Sequence, residues 1–209
     1  MPRKNYHHGD LKNTLIKAGI EILSKEGVSG LSLRKAARKA GVSHAAPYAH
    51  FTDKQALIAA IALDGYGKIY TRIEEVVNQY PDEPLKQLLQ SAWAYMQFGL
   101  ESPAHYKITF SGLIENEKNY PELVEVTRRS LAVIQKIIAD CQSAKILSAS
   151  EYTAEVDAIS LWGLIHGLVS LVIEGQISNN LMKRTPPKEM IIAAFQQVVR
   201  VPINIKMLK

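Results

Sequence analysis

Cysteine is almost absent from this chain of 209 residues, which contains a single one, Cys141. One thiol excludes a disulfide framework and a zinc site built from several cysteines, and it is typical of a reducing cytosol. Aromatic residues make up only 7% of the sequence. The first residues include no apolar segment of the kind that a secretory signal peptide carries, so we expect a cytoplasmic protein.

Signals for strands and for catalysis are also lacking. No Asn-Gly or Asp-Gly pair separates two strand-like runs. There is no glycine-rich phosphate loop. Asp157 and His166 lie nine positions apart, on opposite sides of one helix, and the neighbours His7 and His8 lack a further ligand at zinc spacing. We therefore expect no catalytic residues, no cofactor and no bound metal.

Helical periodicity is what the sequence does contain, along nearly its whole length. Apolar residues make up 47% of the chain, which is ample for a core. The first helix is closed by Gly27, and with the two helices of the motif described below it forms a three-helix amino-terminal unit. Thr52 with Gln55 forms a capping box for the long helix that follows. We predict an all-α protein with helices over about residues 10–25, 32–40, 53–79, 85–100, 103–111, 121–144, 151–174 and 187–201.

Residues 30–54 read as two short helices joined by a tight turn. Ser32 is a predicted N-cap, Gly41 supplies a left-handed stop, and Ser43 caps the second helix. This spacing is typical of a helix-turn-helix unit, although an ordinary helical hairpin has the same pattern. The second helix directs small or hydrogen-bonding side chains outward, which suits a DNA major groove. The predicted core of the unit is Leu31, Leu33, Val42 and Phe51.

Positive charge is concentrated in the same part of the chain. Residues 1–56 contain ten Lys and Arg against four Asp and Glu, whereas residues 57–209 contain fifteen against sixteen. A one-sided basic region is typical of nucleic-acid binding, because Lys and Arg neutralise phosphates. Arg3 and Lys4 precede the first helix as a candidate arm. We predict a DNA-binding domain over 1–56 and a second helical domain over 57–209.

The segment from Ala158 to Ile173 is apolar nearly all the way round. It is shorter than the roughly 20 residues of a membrane span, so we expect no membrane association. We expect instead a helix that is buried on every side, by its own domain and by another surface. The final helix has a one-sided apolar stripe. A palindromic DNA site has two half-sites and is bound by a protein with two-fold symmetry, so the last two helices are predicted to form the interface of a homodimer. The predicted interface residues are Leu164, Leu168, Leu171, Ile191, Phe195 and Val198.

Residues 10–57 resemble the N-terminal domain of the TetR family of transcriptional regulators. The matching elements are Leu31-Ser-Leu-Arg-Lys-Ala-Ala, Ala40-Gly-Val-Ser and Tyr48-Ala-His-Phe-Thr-Asp-Lys54, in order and at the family's spacing. The C-terminal part is similar, more loosely, to a subgroup named for a Trp-His-Gly element, here Trp162, His166 and Gly167. The opening Tyr6-His-His-Gly-Asp-Leu11 is also like that subgroup.

The resemblance implies a repressor that binds a palindromic site in double-stranded DNA as a homodimer and is released by a small-molecule effector. It places base contacts on the second helix of the unit, and phosphate contacts on the tyrosine, histidine and lysine that follow and on the arginine of the first motif helix. Pro47 and Ala49 depart from the family pattern. The DNA-binding residues that the resemblance implies are Arg34, Ser43, His44, Ala45, Ala46, Tyr48, His50 and Lys54.

An effector pocket is also implied by the resemblance. The candidates are aromatic or soft side chains with a polar handle: Trp93, Tyr95, Met96, Tyr106, Phe110, Trp162 and His166. Two alternatives stay open: these side chains are plain core, and His166 is a structural histidine. A rival function is a cytosolic helical sensor or enzyme that uses the N-terminal unit only for interaction.

Overall fold

The computed structural model describes residues 8–147 and 151–208, and within these ranges the chain is helical with no strand. One isolated antiparallel bridge joins Leu147 and Val199. The predicted all-α class is confirmed. Arg3, Lys4 and His7 lie outside the described residues. The α-helices are α1 (His8–Gly30), α2 (Leu33–Ala40), α3 (Lys54–Gln79), α4 (Pro84–Glu101), α5 (Pro103–Thr109), α6 (Pro121–Ser143), α7 (Ala154–Ile173), α8 (Asn179–Arg184) and α9 (Pro187–Gln196). Short 3-10 helices cover Ala46–Ala49, Glu117–Asn119 and Ile205–Met207.

The start of α3 differs from the predicted capping box. The backbone N–H of Ala56 donates to Oδ1 of Asp53 at 2.8 Å, so Asp53 is the cap. Gln55 instead donates to Glu115 at 3.1 Å. The prediction that Thr52 and Gln55 cap this helix is therefore wrong, because a carboxylate one residue later reaches the free amide.

The C-terminal end also differs. Helix α8 has only six residues, which is too short for a periodic signal, and Ser178 caps it through the amide of Leu181. Helix α9 ends at Gln196 rather than near residue 201. Beyond it the chain pairs with the segment after α6, where the N–H of Arg200 donates to the Ile146 carbonyl at 2.8 Å.

The chain divides into two compact units. The first comprises residues up to Tyr66 together with Ala104–Glu125, and the second comprises Gly67–Pro103 and Val126–Lys209. The functional boundary at 56/57 stays a prediction. The core of the first unit contains the expected Leu31, Leu33 and Phe51, with Val42 partly buried against it.

Helix α5 contributes to that same core through Ile108. It approaches α3 closely at Gly65: a Cβ on this glycine would lie 2.0 Å from Oγ1 of Thr109. The Thr109 hydroxyl donates to the carbonyl of His105, and the His105 ring bonds the carbonyl of Ile61 in α3, both at 2.9 Å. Residues distant in sequence thus complete the amino-terminal unit.

Helix α7 is central to the second unit but is not buried on every side. One face is buried, and Val156, Ile159, Leu164 and Leu171 are exposed on the rest of the helix. The single chain covers one of the expected faces, and burial of the other by a second surface stays a prediction. Among the described helices α7 is the one long and apolar enough to cross a membrane, a weak criterion that core helices also meet. The buried face consists of Ala158, Leu161, Ile165 and Val169.

Candidate nucleic-acid interface

The first helix of the predicted motif begins and ends where the sequence places it. The Ser32 hydroxyl accepts a hydrogen bond from the backbone N–H of Lys35 at 3.2 Å. Gly41 has φ 69° and ψ 30°, the left-handed conformation that favours glycine. Its N–H donates to the carbonyl of Arg38 at 3.2 Å. The chain therefore turns sharply at the carboxyl end of α2.

The second element is a 3-10 turn rather than an α-helix capped by Ser43. We call residues 43–50 the recognition turn. The bonds within it run over three residues, from Ala46 N–H to the Ser43 carbonyl and from Tyr48 N–H to the Ala45 carbonyl. An α-helix starting at His44 would need an amide at Pro47 to bond Ser43, and proline has none. The prediction of a Ser43-capped helix is thus wrong.

The outward side chains of the recognition turn are nevertheless those expected. Ser43, His44 and Ala45 are exposed, and Ala46 is half-buried. Tyr48 is 56% exposed, an unusual state for a large aromatic side chain. The turn therefore presents small polar groups and one phenol to solvent.

His50 and Lys54 are less freely exposed. His50 is half-buried, and its Nε2 is buried without a hydrogen-bond partner in the described part of the chain. A buried nitrogen without a partner costs free energy, and a contact between His50 and a phosphate stays a prediction. Lys54 Nζ donates to the Val28 carbonyl at 3.4 Å. An ammonium has three donors, so this bond leaves two for a phosphate.

Arg34 lies exposed on α2, while its neighbour Lys35 does not present a free charge. The Lys35 ammonium forms an ion pair with Glu26 of α1. On the first motif helix, the charge of Arg34 is therefore open to solvent, whereas that of Lys35 is paired within the unit.

The second unit brings together three of the predicted effector residues. Trp162 Nε1 donates to the Tyr95 hydroxyl at 3.0 Å, and that hydroxyl lies 2.9 Å from His166 Nδ1. These contacts span 67 and 71 residues of sequence. Helical spacing could place each ring on its own helix, but it could not identify Tyr95 as the residue that joins them.

Tyr95 and burial both act on His166. The indole N–H can only donate, so the Tyr95 oxygen accepts from it and keeps its own proton and a second lone pair for other partners. The direction of its bond to Nδ1 depends on the tautomer of the histidine. Burial lowers the pKa of His166 from its ordinary value, which favours the neutral imidazole.

The remaining effector candidates are placed elsewhere. Met96 is buried in α4, and the Trp93 ring lies under the ammonium of Lys188 at 4.9 Å. Tyr106 and Phe110 belong to the first unit, where their rings are 4.9 Å apart. Of the predicted pocket residues, Trp162 and His166 share a hydrogen-bond chain with Tyr95.

The predicted dimer residues divide in a similar way. Leu164 and Leu171 are exposed on α7, and Leu168 and Val198 are half-buried. Ile191 and Phe195 are only 0% and 2% exposed, because they face the core of their own unit. These two cannot form a surface in this conformation, so their assignment to an interface is corrected.

Comparison with known proteins gives two family matches. A model described as bacterial regulatory proteins of the tetR family matches residues 15–61. A model described as the tetracyclin repressor-like C-terminal domain matches residues 88–196. None of the matches bears on the Trp-His-Gly subgroup, which stays a prediction.

Individual relatives agree with these matches. YobS of Bacillus subtilis, named as an uncharacterized HTH-type transcriptional regulator, is 26% identical over 168 residues, 78% of this chain and 80% of that protein. The class A tetracycline repressor from transposon 1721 in Escherichia coli is 46% identical over 50 residues, 24% of this chain and 23% of that protein. A solved protein of unknown function from Rhodococcus sp. RHA1 is 29% identical, with a TM-score of 0.74, covering 93% of this chain and 96% of that one.

Proposed function

Because the chain belongs to the TetR family of ligand-responsive, DNA-binding transcriptional regulators, we propose that it represses transcription as a homodimer on a palindromic operator. A small molecule bound in the second unit releases it from the DNA. Its place of action is the cytoplasm, where bacterial DNA lies.

The exposed recognition turn is the observation that carries the DNA-binding role. Ser43, His44 and Ala45 face solvent at the end of a rigidly capped helix, and Tyr48 stands beside them. Hydroxyl, imidazole and methyl groups suit base edges, whereas a phenol suits a phosphate oxygen.

Selection of bound duplexes from a random pool tests this role. The recovered sites should carry inverted repeats, because a two-fold dimer reads two half-sites. Tyr48→Phe should weaken binding to all sequences alike, and His44→Ala should change the preferred base at one position of each half-site. Tyr152→Phe removes a hydroxyl from another exposed tyrosine in the second unit and should change neither property. Unselective recovery would contradict the proposal.

The exposed face of α7 supports the homodimer. Gly163 and Gly167 lie on this face with nothing within 4 Å of an added Cβ, so another helix can approach there closely. Leu164 and Leu171 flank the glycines and are exposed. A contiguous apolar face of this kind is typical of a protein–protein contact. We therefore assign the interface to α7 and leave Phe195 in the core.

Sedimentation of two variants tests the assignment. Leu164→Asp should yield folded monomers, because it places a charge in the buried interface. Val124→Asp makes the same kind of change at an exposed apolar residue of α6 and should leave the dimer intact. A dimer that survives Leu164→Asp would refute the role of α7.

For the effector, we propose a region around Tyr95, Trp162 and His166. The three polar atoms are linked, partly buried and uncharged, which suits a neutral ligand with hydrogen-bonding groups. Trp93 and Trp162 are the two tryptophans of the chain, so ligand binding can be followed by fluorescence. In a screen of small molecules that release DNA, a hit should change the emission of the Trp93→Phe protein. Hits that act without affecting Trp162 would place the site elsewhere.

A further inference from the structure

The cations of α2 form two rows with different partners. Lys35 pairs with Glu26, and Lys39 Nζ lies 2.5 Å from Oε2 of Glu21, so both lysines are held against α1. The ammonium of Lys39 also lowers the pKa of Glu21. Each pair has no net charge, so a phosphate that approached either ammonium would also meet the paired carboxylate.

The other row consists of Arg34 and Arg38. Residues four apart share one face of a helix, and both side chains are exposed. Neither forms an ion pair with a residue in the described ranges 8–147 and 151–208. Two like charges at this spacing repel each other by a few tenths of a kcal/mol. The arrangement costs stability unless an external anion lies against it.

Arg38 also lies beside the recognition turn. Its carbonyl accepts the N–H of Gly41, and the exposed Ser43 follows two residues later. In the proposed function the recognition turn faces the duplex, so the flanking DNA backbone is the external anion we expect beside the exposed Arg38 side chain. Guanidinium groups bind phosphate oxygens through paired N–H donors.

We propose that Arg38 is a further DNA phosphate contact, and that Lys39, one residue away, contributes nothing because Glu21 holds it. The proposal rests on the DNA-binding role given above. It divides four neighbouring cations of one helix into two that bind the duplex, Arg34 and Arg38, and two that join α2 to α1.

The test is the affinity for a random-sequence duplex between 50 and 200 mM salt, measured on the full chain. Each lost phosphate contact lowers the slope of log affinity against log salt by about 0.9. The Arg38→Gln dimer loses two phosphate contacts. Between 50 and 200 mM salt, the fold-loss in its DNA affinity should therefore be about tenfold smaller than that of the wild type. Arg38→Lys should keep most of the slope, because it keeps the charge.

The matched control removes a cation together with its partner. Glu21→Gln/Lys39→Gln leaves the net charge of the unit unchanged and should keep the wild-type slope. Glu21→Gln alone removes the carboxylate from Lys39 and should steepen the slope of log affinity against log salt. Circular dichroism and sedimentation confirm that each variant is folded and dimeric at the concentrations used.

Three results overturn parts of this account separately. A wild-type slope in folded Arg38→Gln means that Arg38 only interacts with the C-terminal end of α2. A slope lowered equally in the double variant means that Lys39 also reaches the DNA. A flat slope in the wild type itself would instead refute the proposed DNA-binding role.

Discussion

Gly65 is the position where a single methyl group should disturb the amino-terminal unit most. A Cβ there would lie 2.0 Å from Oγ1 of Thr109 and 3.0 Å from its Cβ and Cγ2. Thr109 is buried, and its hydroxyl is bonded to the carbonyl of His105, so it cannot easily turn away. In Gly65→Ala, α5 must therefore move away from α3. Overpacking of this kind should lower the free energy of unfolding by about 1–3 kcal/mol.

A glycine two residues later provides the control. Gly67 lies in the same helix with nothing within 4 Å of an added Cβ. Gly67→Ala should stabilise the protein by roughly 0.5–1 kcal/mol, because alanine is the better helix former. Gly65→Ala has the same backbone gain, so the difference between the two variants isolates the clash.

Urea unfolding followed by circular dichroism measures these free energies. Gly65→Ala should unfold about 1–3 kcal/mol more easily than Gly67→Ala. Thr109→Ala removes Oγ1 and Cγ2, so the double variant Gly65→Ala/Thr109→Ala should recover much of the loss, with a favourable coupling energy. Equal stability of Gly65→Ala and Gly67→Ala, or no coupling to Thr109, would refute the close approach of α5 to α3.

Three further results are expected. Asp53→Ala should lower the free energy of unfolding by about 1 kcal/mol in urea titrations, whereas Thr52→Ala should change it little, because Asp53 caps α3. Tyr95→Phe removes the hydroxyl that contacts Trp162 and His166 and should lower the free energy of unfolding by about 0.5–1.5 kcal/mol for each hydrogen bond lost, by the same measurement. Burial lowers the folded-state pKa of His166 below its ordinary 6.5. The unfolded chain therefore binds this proton more readily, so the free energy of unfolding is greatest above pH 6.5 and decreases as the pH falls towards the folded-state pKa. Melting curves of His166→Gln should depend less on pH in that window than those of the wild type.

Local signals in the sequence predict the amino-terminal motif well. Ser32 and Gly41 fix the ends of α2 through bonds to residues three positions away, and such contacts can be read from spacing alone. Pro47 is equally visible in the sequence, and its missing amide explains why the element after α2 is a 3-10 turn.

Contacts between distant residues explain most of what the sequence did not predict. The apolar stripe of α9 looks the same whether it faces its own core or a partner, and only the packing places Ile191 and Phe195 inside. Ile108 is likewise an ordinary apolar residue of α5 until the fold brings it into the core of the motif. Periodicity identifies a buried face without identifying what buries it.

The most direct test of the central claim is hydroxyl-radical protection of a selected operator by the full-length protein. Two recognition turns related by a two-fold axis should protect two symmetric patches, with centres one helical turn of about 10 base pairs apart or a multiple of it. A single asymmetric patch, or uniform protection along the duplex, would contradict the claim that two copies of residues 43–50 read paired half-sites.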